Sequence, residues 1–174
     1  MGHNIDWSKS HCGVMLCSYE QTVELMPEVQ PILDELTSDL EFNWEDYVVD
    51  VKVHMLMPNQ FPAIPNWHLD FMPRDENGER TPEKATGEKM YMWLSGLPLT
   101  EYKDRKTKEV YTKPPQQWHS FTQSDLHRAT MSEIHTWRCF IRVIPKKFIH
   151  QTTINVGTKR IHTQVYLDSN KFRW

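Results

Sequence analysis

The stretch Tyr47–Met57, YVVDVKVHMLM, has the clearest secondary-structure pattern in the chain. Valine and methionine recur at every second position, and this period of two is typical of a half-buried β-strand. Shorter segments with a similar pattern are separated by proline, glycine or charged residues. They are Val14–Tyr19, Lys89–Leu94, Glu109–Tyr111, Thr136–Val143, Thr152–Val156 and Arg160–Leu167. Many short strands with such punctuation predict a mainly β protein, a sandwich or a barrel.

One region is predicted to be helical. Apolar residues between Gln21 and Leu36 recur roughly at helical spacing, but Pro27 and Pro31 interrupt the pattern. We therefore expect one or two short helices flanking the strands. The 174 residues contain no repeat and no low-complexity tract. They predict a single domain, with an N-terminal flank at 1–45 and a β core from about 46 to 168.

Composition argues against several classes of protein. The formal net charge of −3 does not favour a protein that binds duplex nucleic acid through a positive field, although a nucleotide ligand is compatible with it. Three cysteines without a CxxC pair favour reduced thiols, and the chain has no apolar run long enough to span a membrane. These features predict a cytoplasmic protein without membrane partners, and they leave its oligomeric state open.

The stretch Pro65–Phe71, PNWHLDF, contains a candidate metal-binding pair. On an extended strand His68 and Asp70 project to the same side. An imidazole and a carboxylate together form part of the two-histidine, one-carboxylate triad of non-haem iron sites. The hydrophilic segment Arg74–Glu88, which contains Asn77-Gly78, follows directly and is predicted to be a loop, either a lid or an ordinary surface loop.

The predicted strand Thr136–Val143 carries two arginines on one face. If Cys139 and its apolar neighbours pack against outer structure, Arg138 and Arg142 point inward. A buried guanidinium requires an anion, and its planar fork suits a carboxylate. The opposite orientation would place both arginines in solvent, and alternation alone does not decide between the two.

The third metal ligand has three candidates, His119, His127 and His135. His127 precedes Arg138 by eleven residues. With His68-x-Asp70 upstream, this order resembles the iron(II)/2-oxoglutarate-dependent oxygenase superfamily, in which a basic residue follows the distal histidine by about ten to fifteen positions. The segments LHRA at 126–129 and WRCFIR at 137–142 are similar to those of small phage-encoded members of this superfamily.

The resemblance implies a double-stranded β-helix, that is, a jelly-roll or cupin-like fold. It implies that His68, Asp70 and His127 bind Fe(II) and that Arg138 pairs with the distal carboxylate of 2-oxoglutarate, with Arg142 as the second choice. The implied activity is that of an oxygenase, a hydroxylase, which uses O₂ and releases succinate and CO₂. Nucleotides, amino acids, protein side chains and small metabolites remain candidates for its primary substrate.

Several other residues are assigned less specific roles. Tyr91 is a candidate contact for the co-substrate and Trp93 for the substrate, with core packing as the alternative for both. His54, on the polar face of its strand, is predicted to lie at the surface. Many members of the superfamily have serine or threonine at the position of Phe140, and this departure bears more on 2-oxoglutarate than on iron.

Two alternatives account for the same residues. One is a cupin-like or jelly-roll binding or structural module without catalytic activity, as in phage structural proteins. The other is a cupin dioxygenase that binds iron without 2-oxoglutarate, which would leave Arg138 unexplained.

Overall fold

The structure is a computed structural model that describes residues 3–38, 42–149, 156–160 and 162–167. Two short α-helices, α1 (Tyr19–Leu25) and α2 (Gln30–Asp34), precede most of the strands. The strands are β1 (Gly13–Cys17), β2 (Tyr47–Leu56), β3 (Gln60–Phe61), β4 (Met90–Leu94), β5 (Thr100–Lys103), β6 (Val110–Thr112), β7 (His119–Phe121), β8 (Leu126–Ala129), β9 (Thr136–Pro145), β10 (Thr158–Lys159) and β11 (Tyr166–Leu167). Single 3-10 turns lie at Trp7–Lys9, Pro27–Val29, Glu35–Ser38, Trp44–Asp46, Pro82–Lys84 and Lys146–Phe148.

The strands form three antiparallel sheets. The largest has the order β10-β1-β2-β9-β4-β7, a second has the order β6-β5-β8, and β11 pairs with β3. The prediction of a mainly β protein with short flanking helices is confirmed. Within the described ranges none of the sheets closes into a barrel.

The helices cover one face of the six-stranded sheet. A capping box between Ser18 and Gln21 begins α1, and the turn at Pro27 separates it from α2. These helices bury Met26, Ile32 and their neighbours against a set of small apolar side chains from the two central strands. The set comprises Val49, Val51, Val53, Cys139, Ile141 and Val143, all at most 2% exposed. Of the two orientations that the sequence left open for this strand, the structure has the one in which Cys139 packs under the helices.

The other face of the same sheet is polar but not solvated. Strands β2 and β9 pair over ten residues, and Asp50 lies opposite Arg142 while His54 lies opposite Arg138. Asp50, His54 and Arg138 are each at most 3% exposed. The prediction that His54 lies at the surface is wrong, because the three-stranded sheet covers this face as the helices cover the other.

Two further predictions need correction. The segment at His68–Asp70 is not a full strand: His68 makes a single antiparallel bridge, and the chain turns at Asp70 and Phe71, where φ is +49°. Of the predicted C-terminal strands, residues 152–155 and 161 lie outside the described residues, and the described part of 160–167 contributes only β11. In the described part of the chain, every helix is too short or too polar to cross a lipid bilayer.

Candidate metal centre

Two histidines are placed side by side by their backbones. The amide of His68 donates to the carbonyl of His127 at 2.9 Å, and the amide of His127 donates back to the carbonyl of His68 at 3.1 Å. His127 lies in β8, whose other neighbour is β5, so the pair is attached to the three-stranded sheet. Paired residues of an antiparallel bridge project to the same side. The two rings accordingly lie 4.5 Å apart, centroid to centroid.

Asp70 completes a cluster of three potential ligands. Its Oδ1 lies 3.7 Å from Nε2 of His68, and its Oδ2 lies 3.5 Å from Nε2 of His127. One ligand atom from each residue falls within 4.8 Å of the other two. A regular strand was expected to place Asp70 on the same side as His68. The turn after His68 has the same result, because the carboxylate still reaches both imidazoles.

The backbone fixes how the two imidazoles are oriented. Nδ1 of His68 lies 2.7 Å from the carbonyl of Asn66, and Nδ1 of His127 lies 2.9 Å from the carbonyl of Asp125. A carbonyl oxygen can only accept, so each Nδ1 carries the proton. Both Nε2 atoms are left facing the carboxylate. Metal-binding histidines have this arrangement, with the distal nitrogen held by a carbonyl or carboxylate.

A buried chain of charges lies behind Asp70. Arg142 pairs with Asp70 and also with Asp50, whose Oδ2 is 3.0 Å from Nη2 of Arg142, and Arg160 pairs with the other oxygen of Asp50. Burial would raise the pKa of Asp70, but the charge of Arg142 and the bond to His127 hold that pKa well below its usual value. Asp50 behaves in the same way, because Arg142 and Arg160 outweigh the effect of burial and lower its pKa. Both carboxyl groups are therefore ionised near neutral pH.

His127 is influenced in opposite directions by its surroundings. Burial lowers the pKa of its imidazole, and the hydrogen bond and negative charge of Asp70 raise it, so the net direction is upward. A proton or a metal ion between His127 and Asp70 would be stabilised by the same carboxylate.

Arg138 is a buried cation that has no carboxylate partner in the described part of the chain. Its side chain is 3% exposed, and its only polar contacts among the described residues are long ones, to Nε2 of His54 at 3.4 Å and Oγ1 of Thr100 at 3.5 Å. Burial lowers its pKa to about 10, so it remains charged at neutral pH. Burial, and then the charge of Arg138, lower the pKa of His54 to about 3, so this imidazole is neutral and does not supply a counter-charge.

A cavity of about 230 Å³ joins these groups. The six-stranded sheet contributes Lys52, Met92, Arg138, Phe140 and Arg142 to its lining, and the three-stranded sheet contributes Thr100, Tyr102 and His127. His68 and Asp70 reach it from their connection, and Gln164 and Tyr166 reach it from the C-terminal segment. The cavity thus lies between the two sheets. The two histidines are on one wall, and Arg138 is on the other.

The structure brings together five of the predicted site residues and separates two others from them. His68, Asp70, His127, Arg138 and Arg142 all line the cavity. Tyr91 and Trp93 do not: they lie opposite Val143 and Ile141 of β9 and pack into the cluster on the helical side. Since alternate residues of a strand face opposite ways, Met92 takes the position facing the cavity. This corrects their assignment as ligand contacts in favour of core packing.

The competing histidines lie outside the cavity. His119 bonds through Nε2 to the carbonyl of Pro114 at 2.6 Å, and His135 is exposed. Sequence reasoning missed Asp50, Lys52 and Thr100. The available signal was the alternation of Asp50, Lys52 and His54 in β2, which was interpreted as a solvent-facing side.

Comparisons of the chain with protein-family models, with curated proteins and with solved structures find no match.

Proposed function

We propose that this protein is an Fe(II)- and 2-oxoglutarate-dependent oxygenase that acts as a hydroxylase. The observation that carries the proposal is the meeting, in one cavity, of a two-histidine, one-carboxylate cluster and a buried arginine that pairs with none of the carboxylates the structure describes. Neither feature alone would suffice. Their combination supplies ligands for a metal and a partner for an anion that approaches it.

The three ligand residues fit a divalent iron ion. Two imidazoles that present Nε2, together with an ionised carboxylate, form the donor set of non-haem Fe(II) sites that keep further positions open. Such a set also explains why two Nε2 atoms face a carboxylate at 3.5 and 3.7 Å, a placement that a cation between them would stabilise. Arg142 would hold the carboxylate of Asp70 in place through its ion pair with Oδ2.

Arg138 fits the distal carboxylate of 2-oxoglutarate better than Arg142 does. Arg142 already pairs with two carboxylates, Asp50 and Asp70, so its charge is matched. Arg138 has none within 4 Å among the described residues, and it would gain one from the co-substrate. Many members of the superfamily that the chain resembles have a hydroxyl residue at the position of Phe140. In this chain the hydroxyl near Arg138 is that of Thr100, whose Oγ1 is 3.5 Å from Nη2 of Arg138.

The order of strand pairing supports a double-stranded β-helix. From β2 to β9 the chain pairs like one long folded hairpin: β2 with β9, His68 with His127 of β8, β4 with β7, and β5 with β6. Successive pairs alternate between the six-stranded and the three-stranded sheet. A hairpin wound in this way has the layout of a jelly roll and leaves a cavity between its two sheets.

The residues of this chain would perform four tasks in the reaction. When bound, iron and 2-oxoglutarate would supply the O₂-activating chemistry, with release of succinate and CO₂. His68, Asp70 and His127 would hold one face of the ion, and the backbone carbonyls of Asn66 and Asp125 would keep the imidazoles oriented. Arg138 would fix the far end of the co-substrate. Apolar walls such as Met92 and Phe140 would exclude water from the reacting side.

The test is an anaerobic titration with Fe(II) and 2-oxoglutarate, followed by the weak visible charge-transfer band. The wild-type protein should develop the band, and Asp70→Ala and His127→Ala should lose it, whereas His119→Ala should retain it because His119 lies outside the cavity. The absence of a band in the folded wild-type protein would contradict the proposal. It would favour a binding or structural module without catalytic activity.

A further inference from the structure

The cavity contains a second cation that the proposed reaction does not use. Lys52 lies on β2 between Asp50 and His54, and it lines the same cavity as Arg138. It lies opposite Phe140, and its Nζ is 5.9 Å from the centre of that ring. Within the part of the chain that the structure describes, no carboxylate comes within 4 Å of this ammonium group.

The carboxylates nearest to Lys52 are already paired. Asp50 and Asp70 both influence Lys52 electrostatically, but Asp50 pairs with Arg142 and Arg160, and Asp70 pairs with Arg142. Arg128, another cation of the lining, pairs with Glu101 at 2.8 Å. Among the described residues, two cations of the lining are therefore without a carboxylate within 4 Å, Arg138 and Lys52. A half-buried ammonium in this situation favours an anion from outside the chain.

The proposed co-substrate has a partner for each of its two carboxylates without Lys52. In the proposed function, one carboxylate of 2-oxoglutarate would lie at the metal and the other at Arg138. Arg138 and Lys52 occupy different positions on the pleat, because His54 rather than Lys52 lies opposite Arg138. Lys52 is then left for an anionic group of another molecule.

We propose that Lys52 is an anchor for the primary substrate, and that this substrate is a small anion carrying a carboxylate or phosphate group. This inference rests on the proposed function, because it assigns 2-oxoglutarate to Arg138. The cavity volume of about 230 Å³ is below the range of about 300–1,000 Å³ that is usual for drug-sized ligands. The primary substrate would share this volume with the co-substrate and would therefore have to be small. Gln164 and Tyr166, from the C-terminal segment, would close the cavity over it.

The test measures anion binding separately from co-substrate binding. Protein loaded with Co(II) and saturating 2-oxoglutarate under anaerobic conditions is titrated calorimetrically with methyl phosphate and, separately, with acetate, at constant ionic strength. Lys52→Met removes the charge and keeps much of the side-chain volume. We expect it to weaken binding of the preferred probe about 10- to 100-fold, the loss expected for a hydrogen bond to a charged group. Lys52→Arg should retain most of the affinity.

A matched control makes the same chemical change outside the cavity. Lys103 lies on β5 with its Nζ 5.5 Å from the centre of the Trp67 ring, and Lys103→Met should leave probe binding unchanged. A thermal melt without ligand checks that each variant is folded, and Lys52→Gln replaces Lys52→Met if the latter is not. The two probes distinguish a phosphate-bearing from a carboxylate-bearing substrate.

Two results would overturn the inference. Equal probe affinity in the wild type and in folded Lys52→Met or Lys52→Gln would remove Lys52 as an anchor. A fall in 2-oxoglutarate affinity in Lys52→Met as large as that in Arg138→Met would make Lys52 a contact of the co-substrate instead. If the wild type binds neither Co(II) nor 2-oxoglutarate, the proposed function fails. If that wild type still binds the probe and Lys52→Met does not, the anion site is retained.

Discussion

Replacing Arg138 by methionine should weaken 2-oxoglutarate binding and, without ligand, make the protein more stable. Both effects follow from a buried guanidinium that pairs with no carboxylate of residues 3–38, 42–149, 156–160 and 162–167. The lowering of its pKa from the ordinary value of 12.5 to about 10 corresponds to a cost of about 3 kcal/mol for burying the charge. A base with a lowered native pKa carries this cost at every pH below that pKa, hence throughout the neutral range.

The expected gain in stability is smaller than the whole cost. The substitution also removes two long hydrogen bonds, to His54 and Thr100, each contributing about 0.5–1.5 kcal/mol. We therefore expect the free energy of unfolding to rise by up to about 2 kcal/mol. In a chain of this size that corresponds to an increase in Tm of up to roughly 8 °C.

The effect on ligand binding should have the opposite sign. Removing one partner of a buried ion pair costs about 3–5 kcal/mol, which is at least a hundredfold in the Kd for 2-oxoglutarate. Urea denaturation without ligand gives the first quantity, and calorimetric titration of the Co(II)-loaded protein gives the second. Arg128→Met is the control for stability, because Arg128 pairs with Glu101 near the surface and its loss should cost at most about 1 kcal/mol.

The reasoning would be refuted if Arg138→Met lowered the stability of the ligand-free protein and left the affinity for 2-oxoglutarate unchanged. Arg138 would then be a structural residue whose contacts to His54 and Thr100 outweigh the cost of its burial.

The other predictions concern the charges behind the metal centre, the metal itself and the core. Asp50→Asn should lower the free energy of unfolding by about 3–5 kcal/mol, because it leaves Arg142 and Arg160 buried with less negative charge; urea denaturation measures this, and a change below about 1 kcal/mol would contradict the assigned ion pairs. The pKa values of Asp50 and Asp70 are lower in the folded protein than the ordinary value of 3.8. The stabilisation that these carboxylates provide is therefore complete above pH 3.8 and is lost as the pH falls below it. The free energy of unfolding should decline steeply below about pH 4, and less steeply in Asp50→Asn. Adding a chelator to the Co(II)-loaded protein should return its Tm to that of the metal-free protein. In His127→Ala, neither Co(II) nor the chelator should change the Tm. Trp93→Phe should destabilise the protein by about 1–3 kcal/mol while leaving the Kd for 2-oxoglutarate unchanged, and a selective loss of ligand affinity would return Trp93 to the site.

Local patterns were enough to select three residues that the structure brings together, because metal ligation depends on residue type and spacing. His68 and Asp70 are two residues apart, and they converge even though the chain turns instead of continuing as a strand. The choice of His127 over His119 and His135 depended on the interval to Arg138. In the structure His127 is the one of these three that lines the cavity.

The side of the sheet that faces the cavity could not be predicted from alternation. In β2 the valines and the polar residues alternate regularly, and such a pattern usually separates core from solvent. Here helices cover the valine face and a second sheet covers the polar face, so Asp50 and His54 are buried. The sequence contained one signal, the opposite charges of Asp50 and Arg142. Recognising them as a pair required the register of β2 against β9, which the sequence alone does not give.

The same limitation explains the misplacement of Tyr91 and Trp93. Their alternation in β4 was read correctly, since both lie on one face. Whether that face is shared with Arg138 depends on how β4 pairs with β9, and the pairing places Trp93 opposite Ile141. Register arises from packing between distant segments, and a single strand does not encode it.

A crystal structure of the protein with Mn(II) and 2-oxoglutarate, grown without O₂, tests the central claim most directly. The account predicts one ion within about 2.0–2.3 Å of Nε2 of His68, Nε2 of His127 and a carboxylate oxygen of Asp70, with the distal carboxylate of 2-oxoglutarate on the guanidinium of Arg138. An ion bound elsewhere, or an Arg138 side chain that does not contact the co-substrate, would contradict it.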